Sequence, residues 1–147
     1  MADTVSVTYL YPPNMLDGNW DEKQGNRRVV VKLAGVSDGT GETDVKKIDL
    51  SDLKTHAGNV PGRTVAEKIE WQVTGMTCVL EWDRTPQAII YVINADGVQS
   101  SGSKDWTSFG GILDPGDDDG TGDILLTTSA VTAGDSYTII LTLRLKD

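Results

Sequence analysis

From Ser136 to Asp147 the chain reads SYTIILTLRLKD, and apolar side chains recur at every second position. Tyr137, Ile139, Leu141, Leu143 and Leu145 share one face, while Thr138, Thr142, Arg144 and Lys146 share the other. A repeat of two is the signature of a strand with one face in a core, and a slip of one residue would turn the whole apolar set to water. Such a strand needs partners of the same kind, and the chain supplies them. Val5, Val7, Tyr9 and Tyr11 alternate ahead of Pro12-Pro13, Val29, Val31 and Leu33 alternate after Arg27-Arg28, and Asp123 to Thr128 (DILLTT) adds a shorter strand.

Two segments are less direct. In Thr64 to Val73 (TVAEKIEWQV), Val65, Ile69 and Val73 also suit one helix face. The alternation of Ile69, Trp71 and Val73, with a β-rich continuation from Met76 to Trp82 after Thr74-Gly75, favours a hairpin instead. Gln87 to Asn94 (QAIIYVIN) is apolar on both faces, which suits either a central strand or a strand with one set, Ile89, Tyr91 and Ile93 or Ala88, Ile90 and Val92, covered by a neighbouring subunit. Asp-Gly dipeptides at 17, 38, 96 and 119 supply turns. The one helical turn expected is Leu50 to Lys54, with Ser51 as its cap. These elements predict an all-β fold: a single antiparallel β-sandwich or jelly-roll-like barrel of about eight strands over residues 1–147, with 1–26 as an N-terminal extension or arm. A pentapeptide also echoes, Asp38-Gly-Thr-Gly-Glu42 against Asp119-Gly-Thr-Gly-Asp123, read either as two independent turns or as related halves of the fold.

Charge and rare residues narrow the function. The 147 residues carry 22 acids against 13 bases, a net charge of -9, which argues against nucleic acid and against an anionic membrane face as partners. One cysteine and one histidine leave no internal disulfide and no His-rich metal site. The first ten residues lack a basic and an apolar region, so no secretory signal is expected, and no stretch reaches the roughly 18 apolar residues of a spanning helix.

The acidic loop Asp114 to Asp123 (DPGDDDGTGD) is the feature most like a metal site. Set in the EF-hand frame with Gly120 as the turn glycine, it places Asp117 and Asp119 at ligand positions but Pro115 first and Leu126 last, so the frame fails. Asp117, Asp119 and Asp123 stay as weak metal candidates, with a solvated acidic loop as the preferred reading. No nucleophile elbow, phosphate loop, paired-histidine or dinucleotide motif is present, so neither catalytic residue nor cofactor is expected. His56 reads as a loop residue and Cys78 as a small buried hydrophobe. Trp20 and Trp106 lie in polar, glycine-rich stretches, with Phe109 close to Trp106. They are read either as plugs at the sandwich end or, with Ile89 and Tyr91, as contacts for a partner.

Val36 to Leu50, Glu67 to Trp71 with the following Gly75-Met76, Leu80 to Asp83, Phe109 to Thr127 and Ala133 to Leu145 together resemble a group of small virion-associated structural proteins of tailed bacteriophages. The likeness spans about Arg27 to Lys146 and consists of turns and strands. It implies a non-enzymatic protein made in the host cytoplasm that decorates the exterior of the capsid, binds the major capsid protein, and assembles as a homo-oligomer with a trimer favoured. A tail or connector component and a β-sandwich module for host-surface glycan are the alternatives.

Overall fold

The computed structural model describes residues 3–11, 28–53, 59–116 and 120–146. Ten strands lie in two sheets packed face to face. The six-stranded sheet runs β1 (Thr4–Tyr11), β2 (Arg28–Val36), β10 (Ser136–Lys146), β4 (Arg63–Thr74) and β7 (Gln99–Asp105), with β8 (Ile112–Leu113) also paired to β4. The four-stranded sheet runs β3 (Val45–Ile48), β9 (Ile124–Ser129), β5 (Thr77–Trp82) and β6 (Ala88–Asn94). All the strand pairings are antiparallel, so the protein is the all-β sandwich its alternation predicts.

The strictest alternation belongs to the most central strand. β10 pairs β2 on one side and β4 on the other, placing Ile139 between Leu33 and Trp71 and Leu141 between Val31 and Ile69. Its inward residues join Leu80, Trp82, Ile93, Ile124 and Leu126 of the second sheet in one core. A fully buried Leu or Ile contributes about 1.5–3 kcal/mol, so a register slip of this strand alone would forfeit several such terms.

Ten strands exceed the expected eight or so because β3, β7 and β8 carry no apolar alternation. β3 is VKKI, β7 is QSSGSKD and β8 is two residues long. The expected β4–β5 hairpin is a crossing between sheets: β4 lies in the larger and β5 in the smaller. Gly75 makes that crossing at φ 86°, where a Cβ would overlap the Asp135 carboxylate. Gln87 to Asn94 is not a central strand either, since β6 is an edge. The expected helical turn is a 3-10 turn, Leu50–Asp52, capped by Asp49 rather than Ser51, with the Asp49 carboxylate accepting from Ser51 N–H. Of the N-terminal 26 residues, Thr4–Tyr11 are an edge strand on β2 with Tyr9 in the core, and 12–26 lie outside the described residues. Among the described residues no helix is long and apolar enough to cross a membrane.

Candidate functional site

The echoed pentapeptides lead into paired strands. Asp38–Glu42 precedes β3 and the second copy precedes β9, and β3 and β9 pair antiparallel. Their glycines match in conformation, with φ 102° and 79° at Gly39 and Gly41 against 123° and 77° at Gly120 and Gly122. Each motif ends on a buried acid, and successive lysines of β3 serve the two. Lys47 Nζ contacts Glu42 Oε1 at 2.5 Å, while Lys46 Nζ contacts Asp123 Oδ2 at 3.1 Å. Glu42 Oε2 also accepts from the Tyr137 hydroxyl at 2.7 Å, and the Tyr137 ring lies over Gly35, where a Cβ would sit 2.6 Å from Cε2. Burial, then the Glu42 carboxylate, pushes the Tyr137 phenol far above its ordinary range.

At the base of the acidic loop, Asp114 is fully buried and takes a two-point contact from Arg84, Nε to Oδ1 at 2.9 Å and Nη2 to Oδ2 at 2.7 Å. The same guanidinium donates to the Gly120 and Gly62 carbonyls. Asp123 Oδ1 accepts from Leu50 N–H at 2.8 Å and its Oδ2 meets Lys46. The two ends of the loop are therefore structural anchors and not solvated acids, because a buried carboxylate must be paired. Asp123, a weak metal candidate, has both oxygens engaged in this way. Asp117 and Asp119 lie outside the described residues, among which no group of three or more His, Cys, Asp or Glu is placed to hold a metal.

A third ionic cluster sits on the larger sheet. Glu67 is the extra residue where the β4–β10 register shifts. The bulge brings its carboxylate to Arg28 Nε at 2.6 Å and to within 3.8 Å of Arg144 Nε. Hydrogen bonding to Glu67, more than charge alone, holds the Arg28 guanidinium above its ordinary range. Cys78 is buried, and burial pushes its thiol up to about 12, so it packs and does not react.

The aromatic candidates divide. Trp106 is 8% exposed and its ring lies 5.5 Å from Tyr91, which lies 5.4 Å from Trp71. These three pack across the open side of the sandwich between edge strands β6 and β7, with Trp106 buried there as a plug and Tyr91 half-buried beside it. That removes Trp106 as a sugar-stacking platform. Trp20 and His56 lie outside the described residues. Phe109 and Ile89 are exposed, at 66% and 60%.

Ile89 owes its exposure to a second bulge. Leu80 pairs Tyr91 but Glu81 pairs Ile89, leaving Ile90 as the extra residue of β6. Ile90 and Ile93 enter the core and Ala88 and Tyr91 pack against it, whereas Ile89 and Val92 point outward. Across β5 and β9 the outer face continues with Val79, Glu81, Leu125 and Thr127. Burial, followed by the charge of Asp44, raises the Glu81 carboxyl above its ordinary value. The sequence reading missed Glu42, Lys47 and Arg84. The repeated turn signalled Glu42, and nothing in the spacing signalled Arg84.

Two of the depressions on the described surface carry polar groups. One of about 250 Å³ is lined by Glu70, Trp71, Gln72, Gly102, Thr138 and Ile140. Another of about 460 Å³ at the loop end includes Lys46, Asp49, Thr121 and Asp123. Ser51, which also lines the second depression, donates from its hydroxyl to Asp49 Oδ1 at 2.6 Å, and its hydrogen bonds hold the Asp49 carboxyl below its ordinary value. The fold and these sites define a β-sandwich whose interior ionic groups serve the scaffold. No family model matches the chain, and neither a curated protein nor a solved structure does.

Proposed function

We propose that the protein is a non-enzymatic structural protein of a bacteriophage virion, attached to the major capsid protein on the outside of the head as a decoration or cement subunit. The observation that carries this reading is the assignment of every buried acid among the described residues to a structural cation: Glu42 to Lys47, Glu67 to Arg28, Asp114 to Arg84 and Asp123 to Lys46. Groups tied up in this way build a rigid scaffold and leave recognition to the surface. The segments that resemble phage structural proteins contain all four of these acids and both lysines, in 36–50, 67–71 and 109–127, while Arg28 and Arg84 lie outside them. A net charge of -9 suits docking onto basic capsid patches.

The test adds purified protein to phage heads assembled without it. Binding at high copy, with an upward shift in the temperature at which heads release their DNA, is the expected result. Heads that take up none, or label found on the tail in particle images, would remove the capsid reading.

A further inference from the structure

Among the described residues five strands have an open edge, and four of them discourage strand addition. β7 (QSSGSKD) contains glycine and charge and no apolar side chain, β3 (VKKI) is four residues long with two lysines, β8 (IL) is two residues long, and β1 runs in sequence into Pro12-Pro13. β6 (AIIYVIN) has no charge, no glycine and no proline, and exposes 60% of Ile89 and 45% of Val92. An edge of this composition is a template for another strand.

The bulge determines which strand fits. Because Ile90 and Tyr91 both turn toward the core, the faces from Gln87 to Asn94 read out, in, out, in, in, out, in, out. That order is the same in both directions. In antiparallel pairing, opposed residues share a face, so this strand matches a reversed copy of itself at every position when the axis passes between Ile90 and Tyr91. Ile89 then lies across from the partner's Val92, and Ile90 across from the partner's Tyr91. Without the extra residue, an axis between two residues would oppose inward to outward side chains throughout.

We propose that a second copy of this chain docks on β6 in this register, joining the two four-stranded sheets into one across a two-fold axis. Charge permits the contact as well. Two chains of net charge -9 repel, and β6 carries no charged side chain, so copies meet there without opposing like charges. The pairing stands apart from the capsid reading, since it requires only the chain itself. A single strand pair falls below about 1,200 Å² of buried surface, which places the dissociation constant in the micromolar range or weaker, about 1 µM to 1 mM.

Sedimentation equilibrium of the full chain over that range tests the proposal. The mass is expected to rise with concentration from 15.8 kDa to twice that value and to stop there. Ile89→Glu and Val92→Lys should each weaken association by about tenfold or more. The double variant I89E/V92K should regain it in a salt-sensitive way, because the new carboxylate at 89 faces the partner's new ammonium at 92 twice over. Circular dichroism and melting confirm that each variant folds. A monomer at every concentration, a trimer, single variants that associate normally, or a double variant no better than the singles would each overturn the proposal.

Discussion

Replacing Glu42 by glutamine preserves shape and volume while removing one charge, so its effect isolates the buried ion pair. The Lys47 side chain is 2% exposed and that of Glu42 6%. The carboxylate offers two oxygens to two donors, Lys47 Nζ and the Tyr137 hydroxyl, whereas the amide offers only one. One donor is therefore left short, and the lysine ammonium remains buried without a counter-charge. Removing one partner of such a pair costs about 3–5 kcal/mol, a large part of the roughly 5–15 kcal/mol that holds a domain folded. At about 2–4 °C per kcal/mol for a chain this size, the melting midpoint should fall by about 6–20 °C. The second variant, E42Q/K47M, removes the stranded charge and should return to within about 2 kcal/mol of the parent. Urea titration followed by tryptophan fluorescence measures the parent, E42Q, K47M and the double variant. A cost below about 1 kcal/mol for E42Q would show a solvent-screened pair, and a double variant equal to the sum of its singles would show that the two residues do not interact.

Trp106→Ala should destabilise the fold by about 3–5 kcal/mol in the same titration, since its ring closes the seam against Tyr91; a loss confined to partner binding, with stability intact, would refute the seam role. Alkaline pH should also weaken the protein. The Cys78 thiol is raised from 9.0 to about 12 on folding, so its share of stability is full below the unfolded value and lost as pH climbs from 9 toward 12, with buried Tyr9 and Tyr137 shifted in the same direction. A urea midpoint unchanged between pH 8 and about pH 10.5 would contradict this.

The residues show which parts of the fold a sequence can reveal. β10 was legible because it lies between two strands with one face wholly in the core, so burial imprints the period on it directly. β7 carries no strand signature because an edge strand held by backbone pairing to β4 needs no apolar face. β6 was legible as a strand but not as an edge, since its bulge disturbs the alternation that would have marked one face as solvent-facing. Trp106 illustrates a different limit. Its neighbours in sequence are polar, but those in space are Tyr91 and the core, and local composition does not report long-range packing. The repeated Asp-Gly-Thr-Gly turn was visible, yet its meaning depended on β3 lying between the two motifs with successive lysines turned to opposite faces.

The net charge means something different once the pairs are assigned. Four acids and two bases, Lys47 and Arg84, are buried among the described residues, whereas Lys46, Arg28 and Arg144 stay more than a third exposed beside the acids they pair with. Removing the buried groups from the 22 acids and 13 bases leaves eighteen acids against eleven bases for the rest of the chain, so the exterior stays acidic after the interior pairs are set aside. A surface of that kind repels its own copies and is drawn to basic ones. The two proposed contacts must then respond oppositely to salt. Screening should strengthen the uncharged β6 pairing by relieving repulsion between copies and weaken attachment to a basic capsid surface. A single titration from low salt to about 0.5 M, reading self-association and head binding side by side, separates the two interfaces; movement of both in the same direction would show that one of them has been assigned to the wrong surface.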